Sequence, residues 1–151
     1  GAAVRTGAPK PDISTMDTFK RTLLDAKSIA YSASASGTYL STEVFSKMGI
    51  ADQMTKKAQK IYSERVGAVI ARGDAELGFQ QVSELIPIPG ISFIGEIPAE
   101  VQKTVLFSAG ISSETMNLEA SRDLVAFLAS PKAVNAIQKA GLKPILPSLP
   151  W

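Results

Sequence analysis

The feature that most limits the possible folds is a regular alternation of β-like and helical segments over residues 1–98. Short apolar runs alternate with segments whose apolar side chains follow the helical period, and Gly or Pro separates them. Parallel strands need long crossover connections, which are usually helices, so this alternation predicts an α/β fold with a mostly parallel sheet flanked by helices. The predicted strands are 2–5, 27–31, 60–62, 75–79 and an edge strand at 91–95, and the predicted helices are 14–24, 38–48 and 65–72.

The start of the first helix carries a capping signal. The Ser14 hydroxyl is expected to accept a hydrogen bond from a free amide of the first turn, and Asp17 favours the positive end of the helix. This helix is expected to bury Phe19, Leu23 and Leu24 against the sheet.

The last third of the chain predicts one strand and two helices. Residues 103–109 form a β-like run, a helix is expected to begin after Asn117, and Ser130-Pro131 is typical of a second helix start. Phe107 and Phe127 are expected in the core. Residues 145–151 are expected to form an extended tail.

The absence of two residue types narrows the chemistry. The chain has no His and no Cys, which excludes a Ser-His-Asp triad, a thiol nucleophile and the usual zinc or copper ligands. Sixteen basic against fourteen acidic residues leave a net charge of +2, too small for a typical nucleic-acid-binding protein. No apolar run is long enough to span a membrane. We therefore expect no cofactor, no metal, no nucleic-acid partner and no membrane span.

The segment from Ser32 to Thr38 is the sharpest local signal of a binding site. Ser32, Ser34, Ser36, Gly37 and Thr38 lie between a predicted strand and a predicted helix, where α/β proteins bind ligands. Small side chains let an anion approach the free amides of the helix start. The alternative is a flexible loop in which Ser36 merely caps the helix. The loop contains neither of the glycine-rich nucleotide-binding patterns G-x-x-x-x-G-K-[ST] and G-x-G-x-x-G.

Two further segments follow predicted strands in the same way. Arg65, Val66 and Gly67 open a helix and could offer a guanidinium and two amides to the same cleft, although an ordinary helix with a solvated Arg has the same pattern. Gln80 and Gln81 follow the predicted strand 75–79 and could donate side-chain amides, or could simply fill a loop.

Together these segments resemble the molybdate-binding-protein-like family of periplasmic solute-binding proteins, which serve ABC importers. The resemblance extends from residue 7 to about residue 144, and the order and spacing of several short stretches carry it. These stretches are GAPKPDI at 7–13, SIAY at 28–31, SGTY at 36–39, GDAELGFQQVSEL at 73–85, AFLASP at 126–131 and GLKP at 141–144.

The resemblance implies two α/β lobes that close on a ligand. Residues 1–11 would then be a crossover from the first lobe, residues 12–98 the second lobe, and residues 99–144 a return to the first lobe. Most of the first lobe would precede Gly1, and Gly1–Arg5 lacks the apolar core of a signal peptide. An incomplete first lobe would expose an apolar face, so we expect a first-lobe segment, a strand exchange or a homo-oligomer to cover it.

The resemblance also implies where the ligand binds. One helix start of the family's second lobe falls at Ser36 and Gly37, and the other at Arg65 to Gly67. The family's ligand-binding tyrosine falls near Gln81, and this departure puts the molybdate assignment in doubt. Because a guanidinium fork matches a carboxylate, small organic acids compete with molybdate and tungstate as ligands.

The sequence therefore predicts an exported, periplasmic solute-binding protein that delivers a small anion to an ABC permease. The alternative is an isomerase of small di- or tricarboxylates on the same scaffold, with Glu, Lys or Tyr in place of His as the base. A ligand-sensing module of a regulator is a third possibility, which the lack of a DNA-binding segment disfavours.

Overall fold

A computed structural model describes residues 1–145, which divide into two compact units. The first unit is Gly1–Lys103 and the second begins at Thr104. The strands of the first unit are β1 (Ala2–Arg5), β2 (Ile29–Ser32), β3 (Ala58–Ile61), β4 (Leu77–Phe79) and β5 (Ile91–Gly95). Its helices are α1 (Met16–Asp25), α2 (Ala35–Tyr39), α3 (Phe45–Lys47), α4 (Ala51–Thr55), α5 (Val66–Arg72) and α6 (Val82–Leu85), with a π-helical turn at Leu40–Val44 between α2 and α3.

Within residues 1–145 the five strands form one sheet in the order β3-β2-β4-β1-β5. The pairs β2–β3 and β2–β4 are parallel, whereas β1 runs antiparallel to both β4 and β5. All strands except β1 therefore point in the same direction. This arrangement confirms the predicted α/β fold with a mostly parallel sheet.

Helices cover both faces of this sheet because the strands alternate their side chains between two apolar clusters. Ile29 and Tyr31 of β2 face the larger cluster, which contains Phe19 and Leu23 of α1. Ala30 faces the smaller cluster, together with Val66, Val69 and Ile70 of α5. Leu24, which we expected to be buried, is exposed because it lies one position beyond the face of α1 that contacts the sheet.

The start of α1 differs by one residue from the expectation. Thr15, not Ser14, is the N-cap residue. The Thr18 amide donates to Thr15 Oγ1 at 3.2 Å, and the Thr15 amide donates back to Thr18 Oγ1 at 3.2 Å. This reciprocal pair satisfies two amides at once, whereas a cap at Ser14 would satisfy one.

The helix predicted at 38–48 begins earlier and is not uniform. It starts at Ala35 and widens into the π-helical turn, where the Phe45 amide donates to the Leu40 carbonyl. The hydroxyl groups of Ser41 and Thr42 both donate to the Thr38 carbonyl, at 3.1 and 2.8 Å. Such side-chain bonds compete with the regular backbone ladder and accompany irregular helical turns.

The second unit contains α7 (Leu118–Leu128), a 3₁₀ turn (Pro131–Ala133) and α8 (Val134–Lys139). Asn117 and Ser130 precede these helical segments at the N-cap positions, as predicted. The strand predicted at 103–109 is wrong, since these residues form neither helix nor strand. The core positions predicted for Phe107 and Phe127 are also wrong, because these side chains are 60% and 49% exposed with no sheet to cover them. Of the predicted tail, residues 146–151 lie outside the described part of the chain.

Candidate functional site

The three segments singled out in the sequence all lie at one edge of the sheet. Ser32, at the end of β2, is level with Ile61 of β3, and Tyr31 is level with Phe79 of β4. The carboxyl ends of these parallel strands therefore lie side by side. The Ala33 amide continues the ladder by donating to the Ile61 carbonyl at 2.8 Å.

Three serine hydroxyl groups form a hydrogen-bonded cluster at this edge. The oxygen of Ser32 lies 2.6 Å from that of Ser34 and 3.3 Å from that of Ser36, and Ser34 and Ser36 are 3.1 Å apart. Ser32 is buried, Ser36 is half-buried and Ser34 is exposed. Each hydroxyl can donate or accept, so the cluster can redirect its hydrogens towards a bound anion.

The helix start beside this cluster offers unpaired amides. Ser34 is the N-cap residue of α2, and neither its side chain nor that of Ser36 caps the helix. The first intrahelical bond runs from the Thr38 amide to the Ser34 carbonyl at 3.0 Å, so the Thr38 amide is already satisfied. Among residues 1–145 the amides of 35–37 donate no hydrogen bond to an acceptor. Sequence reasoning missed the Ala35 amide because it began this helix too late.

Gly37 lets the helix start sit directly on the end of β2. A Cβ atom at this position would lie 1.7 Å from the Ser32 carbonyl oxygen. The contact involves backbone, which cannot rotate away. The close approach explains why glycine stands at this point of the loop.

The second helix start offers fewer free donors than the sequence suggested. Arg65 is the exposed N-cap residue of α5. The Val66 amide donates to Gln80 Oε1 at 2.9 Å in a buried hydrogen bond, so this amide is occupied in the structure. The Gly67 amide has no acceptor among residues 1–145.

The two glutamines at the end of β4 have different surroundings. Gln80 is buried, and its side chain holds the start of α5 through Val66. Gln81 is the half-buried N-cap residue of α6, and within the described residues its side chain makes no capping bond. The geometry gives Gln80 a positioning role and leaves the Gln81 amide available to a ligand.

The charges around α5 leave Arg65 as an unneutralised cation. Arg72 donates to both carboxylate oxygens of Glu64, at 2.7 and 2.9 Å, and also pairs with Asp74 at 3.0 Å. The hydrogen bonds from Arg72 lower the pKa of the Glu64 carboxyl group. Glu64 is thus committed to Arg72, and Arg65 has no acidic partner among residues 1–145.

Residues 1–145 contain no group of three or more acidic side chains placed to hold a metal ion. No helix in that range is both long and apolar enough to cross a membrane.

The sheet is mostly parallel and has helices on both faces. Free helix-start amides lie at the carboxyl ends of its strands. These features are those of a lobe of the periplasmic-binding class. The chain belongs to the family described as bacterial extracellular solute-binding protein, whose model matches residues 1–143. This match confirms the family resemblance predicted from the sequence.

Two individual proteins show the relationship in more detail. The chain is 53% identical over 143 residues to a protein named aconitate isomerase from Pseudomonas sp., covering 95% of this chain. It also resembles a solved substrate-binding domain assigned to a molybdenum ABC transporter from Clostridium difficile, with a TM-score of 0.66 and 18% identity. That likeness covers 95% of this chain and 62% of the solved domain, and it supports the fold. The chain spans 55% of the length of the isomerase.

Proposed function

We propose that the whole protein binds a small polycarboxylate at the carboxyl edge of the sheet and shifts a proton within it. The observation that carries this proposal is the 53% identity to an aconitate isomerase, which extends over nearly the whole chain. It favours the isomerase that the sequence left open as an alternative. The ligand would be aconitate or a tricarboxylate of similar size.

The donors at the edge suit a carboxylate ligand. Amides and hydroxyls of the serine loop would bind one carboxylate group, and the forked guanidinium of Arg65 would bind another in a bidentate manner. Charge-assisted bonds of this kind contribute about 1.5–3 kcal/mol each. A polycarboxylate thus uses both helix starts together.

The same donors would assist a proton shift. In an unsaturated tricarboxylate, a base removes a proton from the methylene carbon beside the double bond, and a proton is returned to the far carbon of the allylic system as the double bond moves. The negative charge that develops spreads onto a carboxylate, where preorganised amides stabilise it. Since the chain has no His, the base would be a Glu, Lys or Tyr of this chain or a residue of the first lobe.

The second candidate is the receptor of an ABC importer, which binds its ligand without changing it. The family description and the fold of the molybdenum-transporter domain favour this candidate. It would place the protein in the periplasm with an ABC permease as its partner. Molybdate and tungstate would then compete with carboxylates for the serine loop.

The proposal is tested by measuring ligand binding and turnover with the whole protein that contains this chain. Calorimetry would measure cis-aconitate, trans-aconitate, molybdate, tungstate and sulfate, while proton NMR follows the two aconitates over time. We expect aconitate to bind and to be interconverted catalytically. Tight binding without interconversion would identify the importer receptor instead, and binding of molybdate and tungstate alone would refute the carboxylate proposal.

Two variants tie the result to the site. Arg65→Ala should weaken aconitate binding by about ten- to hundredfold, the cost of a charge-assisted hydrogen bond, and should affect a tetrahedral oxyanion far less. Ser36→Leu should abolish binding while leaving the lobe folded. Arg21→Ala removes the same charge from an exposed position of α1 and serves as the matched control.

A further inference from the structure

A second cation without a carboxylate partner lies against α2, on the segment that leads out of the first unit. The Lys103 ammonium lies over the Tyr39 ring, 4.8 Å from its centroid. Lys103 is the last residue of the first unit and Tyr39 is the last residue of α2. Among residues 1–145 no carboxylate pairs with Lys103, and the Tyr39 ring is the group that its ammonium contacts.

The position of Tyr39 brings this cation towards the serine loop. Tyr39 follows Ser36 by three positions in the same helix, so both side chains leave the same face. A helical side chain also covers the surface over the turn that precedes it, which here is the turn that begins at the serine loop. The ring is half-buried and packs against the larger apolar cluster, which fixes its place.

The start of α2 and the Lys103 ammonium carry charge of the same sign. The start of α2 carries the positive end of the helix dipole, and positive charge is disfavoured there. An anion bound to the free amides of 35–37 would instead be attracted by both the helix start and the Lys103 ammonium. The arrangement is therefore matched to a bound ligand with more than one negative group.

Three other lysines of this unit make different contacts. Lys47 donates to the Glu100 carbonyl at 2.9 Å, and Lys57 donates to the carbonyl groups of Leu24 and Ala26 at the end of α1. Lys60 also lies over an aromatic ring, that of Tyr62, but this ring is 79% exposed and is not fixed by packing. Lys103 is exposed, but its ammonium lies over a ring that packing holds in place, and its charge has no carboxylate partner in residues 1–145.

We propose that Lys103 is a specificity-determining residue that binds a further carboxylate group of the ligand and so favours tricarboxylates over dicarboxylates. The inference rests on the proposed carboxylate function and deepens it. The Tyr39 ring holds the ammonium in place without neutralising it, because a cation–π contact leaves the charge free to attract an anion.

The test compares two saturated probes that cannot be isomerised. Tricarballylate carries three carboxylate groups, and glutarate has the same carbon chain without the central one. Calorimetry on the whole protein would give the ratio of the two dissociation constants. Lys103→Gln should reduce the preference for tricarballylate by about tenfold or more, as expected for the loss of a charge-assisted hydrogen bond. Lys103→Arg should retain it, and Tyr39→Leu should lose part of it.

Lys20→Gln is the control, since it removes an exposed lysine from α1 and should leave the ratio unchanged. An unchanged ratio in Lys103→Gln, with tricarballylate still bound by the wild-type protein, would overturn the role of Lys103 and spare the proposed function. Equal weakening of both probes would show a structural role and would also overturn it. If the wild-type protein binds neither probe, both proposals fail.

Discussion

At the scale of single residues, the serine loop depends on Gly37. A methyl group at this position would meet the Ser32 carbonyl oxygen, and relief would require a shift of either the strand end or the helix start. Overpacking that forces side-chain and backbone shifts costs about 1–3 kcal/mol, and this clash lies at the upper end of the range because it involves backbone on both sides. We therefore expect Gly37→Ala to lower the free energy of unfolding by about 3 kcal/mol and to abolish ligand binding.

Urea unfolding, followed by far-ultraviolet circular dichroism, would measure this loss. Gly110→Ala is the control, because nothing lies within 4 Å of a Cβ atom built at Gly110. The control should change the free energy of unfolding by less than about 0.5 kcal/mol. Equal stability of the two variants would contradict the close packing of α2 on β2.

Residue types in the candidate site could be predicted, but their hydrogen-bond state could not. Small side chains and a glycine between strand and helix indicated the serine loop, since this pattern reflects local backbone chemistry. The occupation of the Val66 amide depends on Gln80, which is fourteen positions away in the sequence. The Lys103–Tyr39 contact spans a still longer separation. Such pairs follow from the three-dimensional fold, and local patterns do not reveal them.

At the scale of elements, the sequence and the structure place the N-cap of α1 at different residues. Thr15 caps the helix and exchanges hydrogen bonds with Thr18, whereas Ser14 precedes the cap. Removing an N-cap hydroxyl costs about 1 kcal/mol, within a range of roughly 0.5–2 kcal/mol. Thr15→Ala should therefore lower the free energy of unfolding by this amount.

Ser14→Ala is the matched variant, and it should cost less than about 0.5 kcal/mol. Chemical denaturation of both variants under the same conditions gives the comparison. A larger loss of free energy of unfolding from Ser14→Ala than from Thr15→Ala would show that Ser14 is the N-cap residue, as the sequence predicted.

The existence of the elements was more predictable than their boundaries. All the strands predicted between residues 1 and 98 are present, because the alternation of short apolar runs with helical segments is a strong signal. The start of α2 was misplaced by three positions, since the serines and the glycine of residues 32–37 are typical of a loop. The run 103–109 reads as a strand by composition, yet a strand also needs a neighbour to pair with, and local sequence cannot supply that information.

At the scale of the whole molecule, the second unit presents an unusual amount of apolar surface. Large apolar side chains are exposed along residues 105–111 and along α7, including Leu106 at 70% and Leu124 at 58%. Met116, just before α7, is 96% exposed. Scattered apolar residues are normal on protein surfaces, but clustered ones mark surfaces that contact another chain segment or another molecule.

This surface fits the two-lobe architecture that the family resemblance implies. In that architecture the returning segment would pack against first-lobe elements, and the β-like run 103–109 would find its strand partner there. The β-like composition of residues that form no strand and the exposure of Phe107 and Phe127 then have one common cause. The two-lobe architecture is a proposal for the whole protein; the chain spans 55% of the length of its isomerase relative.

The 151-residue chain by itself is therefore expected to self-associate through the second unit. Light scattering coupled to size-exclusion chromatography would show a mass above that of the 16.0 kDa monomer, increasing with concentration. The triple variant Leu106→Glu, Phe107→Ser and Leu124→Glu should shift the chain to the monomer, because charged groups on this surface oppose apolar contact. Tyr62→Ser removes a still more exposed aromatic ring from the first unit and should leave the association unchanged. A wild-type chain that stays monomeric at every concentration would show that this apolar surface is tolerated in water. In that case the β-like character of 103–109 would need an explanation other than a missing strand partner.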